Sequence, residues 1–286
     1  MMNIAFIGIG VMGQGMVANL LKAGYKVDIY SRTKSKGAGV IAAGAIWHDS
    51  IKEAVKDADI IITIVGYPKD VEEVYFKEGN ILSSAKKNAL LIDMTTSSPN
   101  LAEKIYKAAK EHHLRALDAP VSGGDTGAKN GTLTIMAGGD KEDFDSAYEV
   151  LSKMGKNIYY MGSAGSGQHC KMANQIAISG CVTSVAEALS YAKKAELDAE
   201  HVLTVISGGA AGSWQMKGNG PKMLSDDMAP GFYIKHFIKD MKLAKEEADK
   251  RQLDLPVLSM VLNMYEQLAE NGMEDLGTQA IIKNYE

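Results

Sequence analysis

The lysine at position 171 heads a stretch that otherwise excludes charge. Gly162–Leu197 opens Gly-Ser-Ala-Gly-Ser-Gly-Gln-His-Cys-Lys-Met-Ala-Asn-Gln and then stays apolar or small for almost the length of a helix. Asn174 and Gln175 follow Lys171 by one turn, on the same side of such a helix. An ammonium flanked by two amides can give a proton to a developing alkoxide, or take one from an alcohol. Most lysines are solvated surface residues. The absence of any charged side chain from Met172 to Ala186 argues for a functional one here, and for a helix buried over most of its circumference.

Two further clusters carry recognisable chemistry. Gly8-Ile9-Gly10-Val11-Met12-Gly13 follows a short apolar run, Asn3–Ile7, and precedes a helical segment at Gly15–Ala23. In that strand-turn-helix setting the three glycines permit a tight turn, close approach of a pyrophosphate and close helix–strand packing. After the next strand, Lys26–Tyr30, stands Ser31-Arg32-Thr33, where an NAD site would carry an acid on the ribose hydroxyls. Serine removes the repulsive carboxylate, Arg32 suits adenine stacking and a 2′-phosphate, and Thr33 adds a hydroxyl. The spacing therefore predicts a dinucleotide site preferring NADP, with NAD as the alternative. Pro120-Val121-Ser122-Gly123-Gly124 offers backbone N–H groups and one hydroxyl at a strand end, a nest suited to a carboxylate.

The elements that must hold these clusters alternate. Apolar runs at Ile60–Val65, Ala89–Asp93, Arg115–Asp118, Gly131–Gly138 and Asn157–Met161 read as strands. Ser50–Lys56, Asp70–Phe76, the segment capped by Ser98-Pro99, and Lys141–Met154 read as helices. A doubly wound sheet binds ligands at its strand ends, so Val65–Pro68 and Thr95–Ser97 are ligand loops, with Thr95 and Thr96 toward the nicotinamide. Beyond the charge-free stretch the pattern is helical: Ala199–Ile206, a loop at Pro221–Gly231, then Ile234–Gln252, Pro256–Asn271 and Gly277–Tyr285. By periodicity Lys239 and Asp240 are an ordinary solvated pair. The reading is an α/β chain: a Rossmann-type dinucleotide-binding domain over 1–163, then an all-α domain over 164–286. The latter begins with a spine helix at about 167–194, roughly 40 Å long.

Composition narrows the class. A chain of 286 residues with net charge −4 has no basic field for nucleic acid. The spine carries Asn174, Gln175, Ser179, Thr183 and Ser184, too polar for a membrane span. No secretion signal is visible, so cytoplasm is the expectation. Cys170 and Cys181 would lie about 16 Å apart along one helix, beyond disulfide reach, and no histidine or cysteine spacing suggests a metal. Only three arginines occur, Arg32, Arg115 and Arg251.

Phe6–Gly13, Ile92-Asp93-Met94-Thr95-Thr96, Asp118–Gly124, Gly167–Gln175 and Lys239-Asp240-Met241 together resemble the β-hydroxyacid dehydrogenases, over essentially the whole chain. That group includes 3-hydroxyisobutyrate dehydrogenase, tartronate semialdehyde (2-hydroxy-3-oxopropionate) reductase and glyoxylate/succinic semialdehyde reductases. The resemblance implies Lys171 as general acid/base, with Asn174 and Gln175 beside it. It also implies Ser122, Gly123 and Gly124 on the substrate carboxylate, Asp240 in support, and Thr96 and Lys239 on the cofactor, where the strand-end position of Val65 also places that residue. A dimer or tetramer is the expected assembly. Asn174-Gln175 looks like the tartronate semialdehyde reductases, whereas Lys217–Pro221 and Lys235-His236 look closer to the succinic semialdehyde and glyoxylate reductases. A short carboxylate-bearing aldehyde is the substrate class. Two alternatives stand beside it: a non-catalytic NADP-binding module, and 3-hydroxyisobutyrate oxidation with NAD.

Overall fold

The computed structural model describes residues 2–286. The chain divides into two compact units, Met1–Lys171 and Met172–Glu286.

The first unit is built on a nine-stranded sheet. Its strands are β1 (Asn3–Ile7), β2 (Lys26–Tyr30), β3 (Ile46–Trp47), β4 (Ile60–Thr63), β5 (Leu90–Asp93), β6 (Arg115–Asp118), β7 (Val121–Ser122), β8 (Leu133–Gly139) and β9 (Gly155–Gly162). The spatial order runs β3-β2-β1-β4-β5-β6-β8, with β7 and β9 also paired to β8. From β3 to β6 every pairing is parallel. Strands buried on both faces need apolar residues at every position. Accordingly Ile4 and Phe6 of β1 enter one core, with Ile60, Ile62, Leu90 and Ile92, while Ala5 and Ile7 enter the other, with Ile61 and Leu91. The order reverses direction between β1 and β4, the switch point at which such sheets take their ligands.

Past β6 the sheet changes character. β8 runs antiparallel to both β6 and β7, and β9 lies parallel to β8. The break between β6 and β7 falls at Ala119-Pro120, since proline has no N–H for a ladder. The short pieces Lys34–Gly37, Ala38–Ala42, Ile46–Trp47 and Ile81–Ser84 carry too few apolar positions to show a period, and sequence reading passes over them.

The second unit is helical. The helix Ser166–Lys194, which begins in the first unit, sends Met172, Val182, Val185, Ala186 and Leu189 into its core. There they join Phe237 and Met241 of the helix Ile234–Lys250, and Val261 and Tyr265 of the helix Pro256–Glu270. Phe237 and Tyr265 meet edge to face at 5.2 Å, and the Tyr265 hydroxyl donates to Thr278 O at 2.6 Å. One expectation is corrected here. The start of the Pro221–Gly231 loop belongs to a short helix, Gly220–Leu224, which Pro221 opens at a position where it needs no N–H. Between Met172 and Ala186 the charge-free helix exposes one stripe, Ala173, Ala177, Cys181 and Ser184, and its remaining positions are buried or partly buried. No helix among the described residues is long and apolar enough to cross a membrane.

Candidate active site

The glycine turn occupies the switch point. Gly8 follows β1 with φ +106°, and a Cβ there would lie 2.1 Å from Ile64 O, just beyond β4. A Cβ on Gly13 would lie 2.1 Å from Gly8 O, so the helix folds directly onto its own turn. That helix starts at Val11 rather than at Gly15, because Gly13 and Gly15 serve packing and do not interrupt it. At Gly10, its N-cap, an added Cβ would meet nothing within 4 Å, and no side chain caps the helix. First-turn N–H groups lack intrahelical partners. An open glycine in front of them is the cradle a dinucleotide pyrophosphate fits. Val11 is half exposed there and Met12 partly buried.

Ser31-Arg32-Thr33 follows β2, with Ser31 partly buried and Arg32 and Thr33 exposed. Arg32 Nη1 lies 3.0 Å from Asp70 Oδ1. The other oxygen of that carboxylate accepts from Tyr67 N at 3.0 Å, closing the start of the helix Pro68–Phe76. One buried acid thus caps a helix and holds the guanidinium, which stays largely in solvent.

The ends of β4 and β5 are tied together from inside. Val65 N donates to Thr95 Oγ1 at 3.0 Å, and Thr95 N donates to Asp93 Oδ1 at 3.1 Å. Thr63 Oγ1 donates to Asp93 at 2.8 Å and meets the Tyr75 hydroxyl at 3.0 Å. Burial pushes the Asp93 carboxyl up to about 6, against the opposing pull of hydrogen bonds from Thr95 and Thr63. Thr95 is therefore an interior joint, while Thr96 beside it is only partly buried.

The Ser122-Gly123-Gly124 segment is not a plain turn. Ser122 ends β7 opposite Thr134 of β8, and a helix, Gly124–Asn130, begins directly after it. Its Gly-Asp-Thr-Gly start hides that helix from a propensity reading. Gly123 holds φ +130°, a backbone state closed to other residues, so the chain turns there between strand and helix.

Lys171 is buried, six residues into the Ser166–Lys194 helix. The first turn of that helix is anchored by a residue that sequence reading assigned no role. Asp118, at the end of β6, accepts from Gly165 N at 2.8 Å and from Gln168 N at 2.9 Å. Burial raises the Asp118 carboxyl, and these backbone donors oppose the rise. The buried Gln168 side chain donates to Thr95 O at 2.7 Å and accepts from Ser97 N at 2.9 Å. Its signal was the pairing of a buried amide with a strand-end loop some seventy residues earlier, which no local pattern carries.

In the second unit Asn174, Gln175, Lys239 and Asp240 form one chain. Asn174 Nδ2 donates to Gln175 Oε1 at 2.7 Å, and Gln175 Nε2 donates to Asp240 Oδ2 at 2.6 Å. Lys239 Nζ lies 2.9 Å from Asp240 Oδ1, an ion pair outside hydrogen-bond angles. The solvated-pair reading of Lys239 and Asp240 is thereby corrected: Asp240 is 2% exposed and the Lys239 side chain 11%. An acid with a buried amide on one oxygen and an ammonium beside the other is fixed in place. His236, nearby, is pushed down by burial and by Lys239 and Lys235, against Asp240 and Asp275.

Both parts of the chain match known protein families. Residues 3–162 match the family model for the NAD-binding domain of 6-phosphogluconate dehydrogenase. Residues 165–285 match that for the NAD-binding region of NADP-dependent 3-hydroxyisobutyrate dehydrogenase. An uncharacterized oxidoreductase of Bacillus subtilis is 55% identical over 281 residues, covering 98% of each chain. The 2-hydroxy-3-oxopropionate reductase of Escherichia coli is 34% identical, over 100% of this chain and 97% of that one. Among solved structures, the 3-hydroxyisobutyrate dehydrogenase of Mycobacterium tuberculosis with L-serine superposes with a TM-score of 0.91 at 33% identity, covering 99% of both chains.

Proposed function

The chain belongs to the NAD(P)-dependent β-hydroxyacid dehydrogenases of the 3-hydroxyisobutyrate dehydrogenase type, and from that premise we propose that it is a semialdehyde reductase. It reduces a short semialdehyde acid, or a 2-oxo acid such as glyoxylate, to the hydroxy acid with NADPH. The observation that carries this reading is the buried Lys171, one helical turn beyond a first turn pinned by Asp118 and Gln168.

A bound reduced nicotinamide supplies the hydride. The Gly8–Gly13 turn and the open N-cap at Gly10 bind the pyrophosphate, and Arg32 and Thr33 bind the 2′-phosphate, with Ser31 leaving room for it. Thr96, Val65 and Lys239 hold the cofactor further along. Ser122, Gly123 and Gly124 bind the substrate carboxylate with one hydroxyl and N–H groups freed by the positive φ at Gly123. Lys171 Nζ gives the proton to the alkoxide as it forms. Gln175 fixes Asp240, and Asp240 with Asn174 keeps that polar cluster in one arrangement.

Scarcity of arginine supports an unphosphorylated substrate. Arg115 opens β6, at the end of the strand away from Asp118, and Arg251 follows the helix Ile234–Lys250, so neither is among the residues assigned to the substrate. The test is steady-state turnover of NADPH and NADH with glyoxylate and with tartronate, methylmalonate and succinate semialdehydes. Oxidation of 3-hydroxyisobutyrate with NAD faster than any of these reductions would overturn the proposed direction, and no turnover in either sense would leave a binding module.

A further inference from the structure

We infer that Gln168 is a positioning residue that sets Thr96 and Lys171 in register. The inference rests on the roles just proposed for those two residues. The Gln168 amide grips the chain on both sides of Thr96: Nε2 donates to Thr95 O at 2.7 Å and Oε1 accepts from Ser97 N at 2.9 Å. An amide pairing with one C=O and one N–H fixes its own orientation, and among side chains of this length only glutamine offers both groups at neutral pH. Thr95 is held in turn through its hydroxyl by Val65 N and through its N–H by Asp93.

On the other side, the Gln168 backbone N–H is fixed to Asp118 at 2.9 Å. Gln168 therefore cannot shift along its helix without losing three buried hydrogen bonds. Lys171 lies three residues on, on the same helical face, and both residues are buried. A displacement of about 1 Å in a reacting group costs up to about 10²-fold in rate. A side chain that ties the strand-end loop to the turn bearing Lys171 thus governs turnover more than affinity.

Three variants test this: Gln168→Met, which keeps length and removes both hydrogen bonds; Gln168→Glu; and Thr183→Val. The last removes a buried hydrogen bond to Ser179 O elsewhere in the same helix and serves as a stability control. Lys171→Ala is measured alongside. In Gln168→Met, kcat falls about 10- to 100-fold, with KM for NADPH within about threefold. Gln168→Glu loses turnover at alkaline pH and regains it as pH falls, because its protonated carboxyl again donates to Thr95 O while its other oxygen accepts from Ser97 N. Thr183→Val lowers the melting temperature and leaves kcat alone. Gln168→Met with wild-type kcat, while Lys171→Ala is impaired, overturns the coupling and spares the reading of Lys171. A drop in Gln168→Met matched by Thr183→Val also overturns it, reducing Gln168 to a packing residue. Full turnover in Lys171→Ala overturns the reading of Lys171 and this coupling with it.

Discussion

Asp93 and Asp118 are register partners on the adjacent parallel strands β5 and β6, and both carboxyl groups are buried. They divide the labour at the ligand edge of the sheet. Asp93 fixes the Thr95 loop through Thr63 Oγ1 and Thr95 N, and Asp118 fixes the first turn of the Lys171 helix through Gly165 N and Gln168 N. Gln168 then joins the two halves. Each acid sits where burial disfavours charge, and the charge on Asp118 further raises Asp93.

That arrangement makes stability depend on pH. Asp93 titrates near 6 in the folded chain against 3.8 in the reference state, so the native state holds the extra proton between those values. Its contribution is fully present below about pH 4 and is lost as pH rises through about 6. The loss is roughly 3 kcal/mol at one pKa unit per 1.4 kcal/mol. Asp93→Asn removes this titration while keeping an acceptor for Thr63 and Thr95. The stability of the variant relative to wild type should therefore rise by up to that amount from pH 4 to pH 7. Denaturant melts at both pH values measure it, and a difference independent of pH would refute the assignment.

How much of this was legible in advance depends on the range of each interaction. Gly8, Gly10 and Gly13 were readable because strand, turn and helix are contiguous, and Ser98-Pro99 because a cap and its helix are neighbours. The Gly124–Asn130 helix was not, since two glycines mask its propensity and packing against the Val11–Lys22 helix stabilises it: a Cβ on Gly15 would lie 2.7 Å from Ala128 C. The antiparallel entry of β8, and the burial of Lys239 and Asp240 under Gln175, join segments far apart in sequence, which periodicity does not sense.

The buried amide chain gives a second prediction. Gln175→Leu removes the donor to Asp240 Oδ2 and should cost about 1–3 kcal/mol, the penalty of stranding a buried acceptor. Gln175→Glu should cost more, because it sets two carboxylates together, and its deficit should shrink as pH falls. Thermal melts across pH 5–8 test both; a leucine variant as stable as wild type would show that the 2.6 Å bond adds nothing.

The third prediction tests the proposed role of Arg32 in cofactor choice. Its ion pair with Asp70 is largely exposed on the arginine side and adds little to stability. Arg32→Ala should therefore melt near the wild-type temperature while KM for NADPH rises much more than KM for NADH. An enzyme that already prefers NADH severalfold, or a variant with unchanged preference, would remove NADP selection from Arg32.

The Ser122–Gly124 segment carries the fourth. If it binds a carboxylate, each semialdehyde acid should be turned over far more efficiently than its amide or ester. Gly123→Ala, forced into φ +130°, should lose that discrimination along with activity. Equal efficiency for charged and uncharged substrates in the wild-type enzyme would show that no carboxylate anchor operates.

The last prediction concerns the proton. Lys171 is buried in the opening turns of a helix free of other charge as far as Ala186, and Gln168 and Asp118 hold the turn before it. A positioned acid/base contributes about 10²–10⁴ in rate, so Lys171→Ala should lose roughly that factor in kcat. NADPH affinity should hardly change, because the Gly8–Gly13 turn and Arg32 are proposed to bind other parts of the cofactor. Lys171→Arg should rescue poorly, since a guanidinium keeps its proton at working pH and cannot deliver it. Near-normal turnover in Lys171→Ala, with NADPH bound normally, would move the proton donor elsewhere, and Lys239 is the first group to replace, because its ammonium sits against Asp240 with little exposure to water.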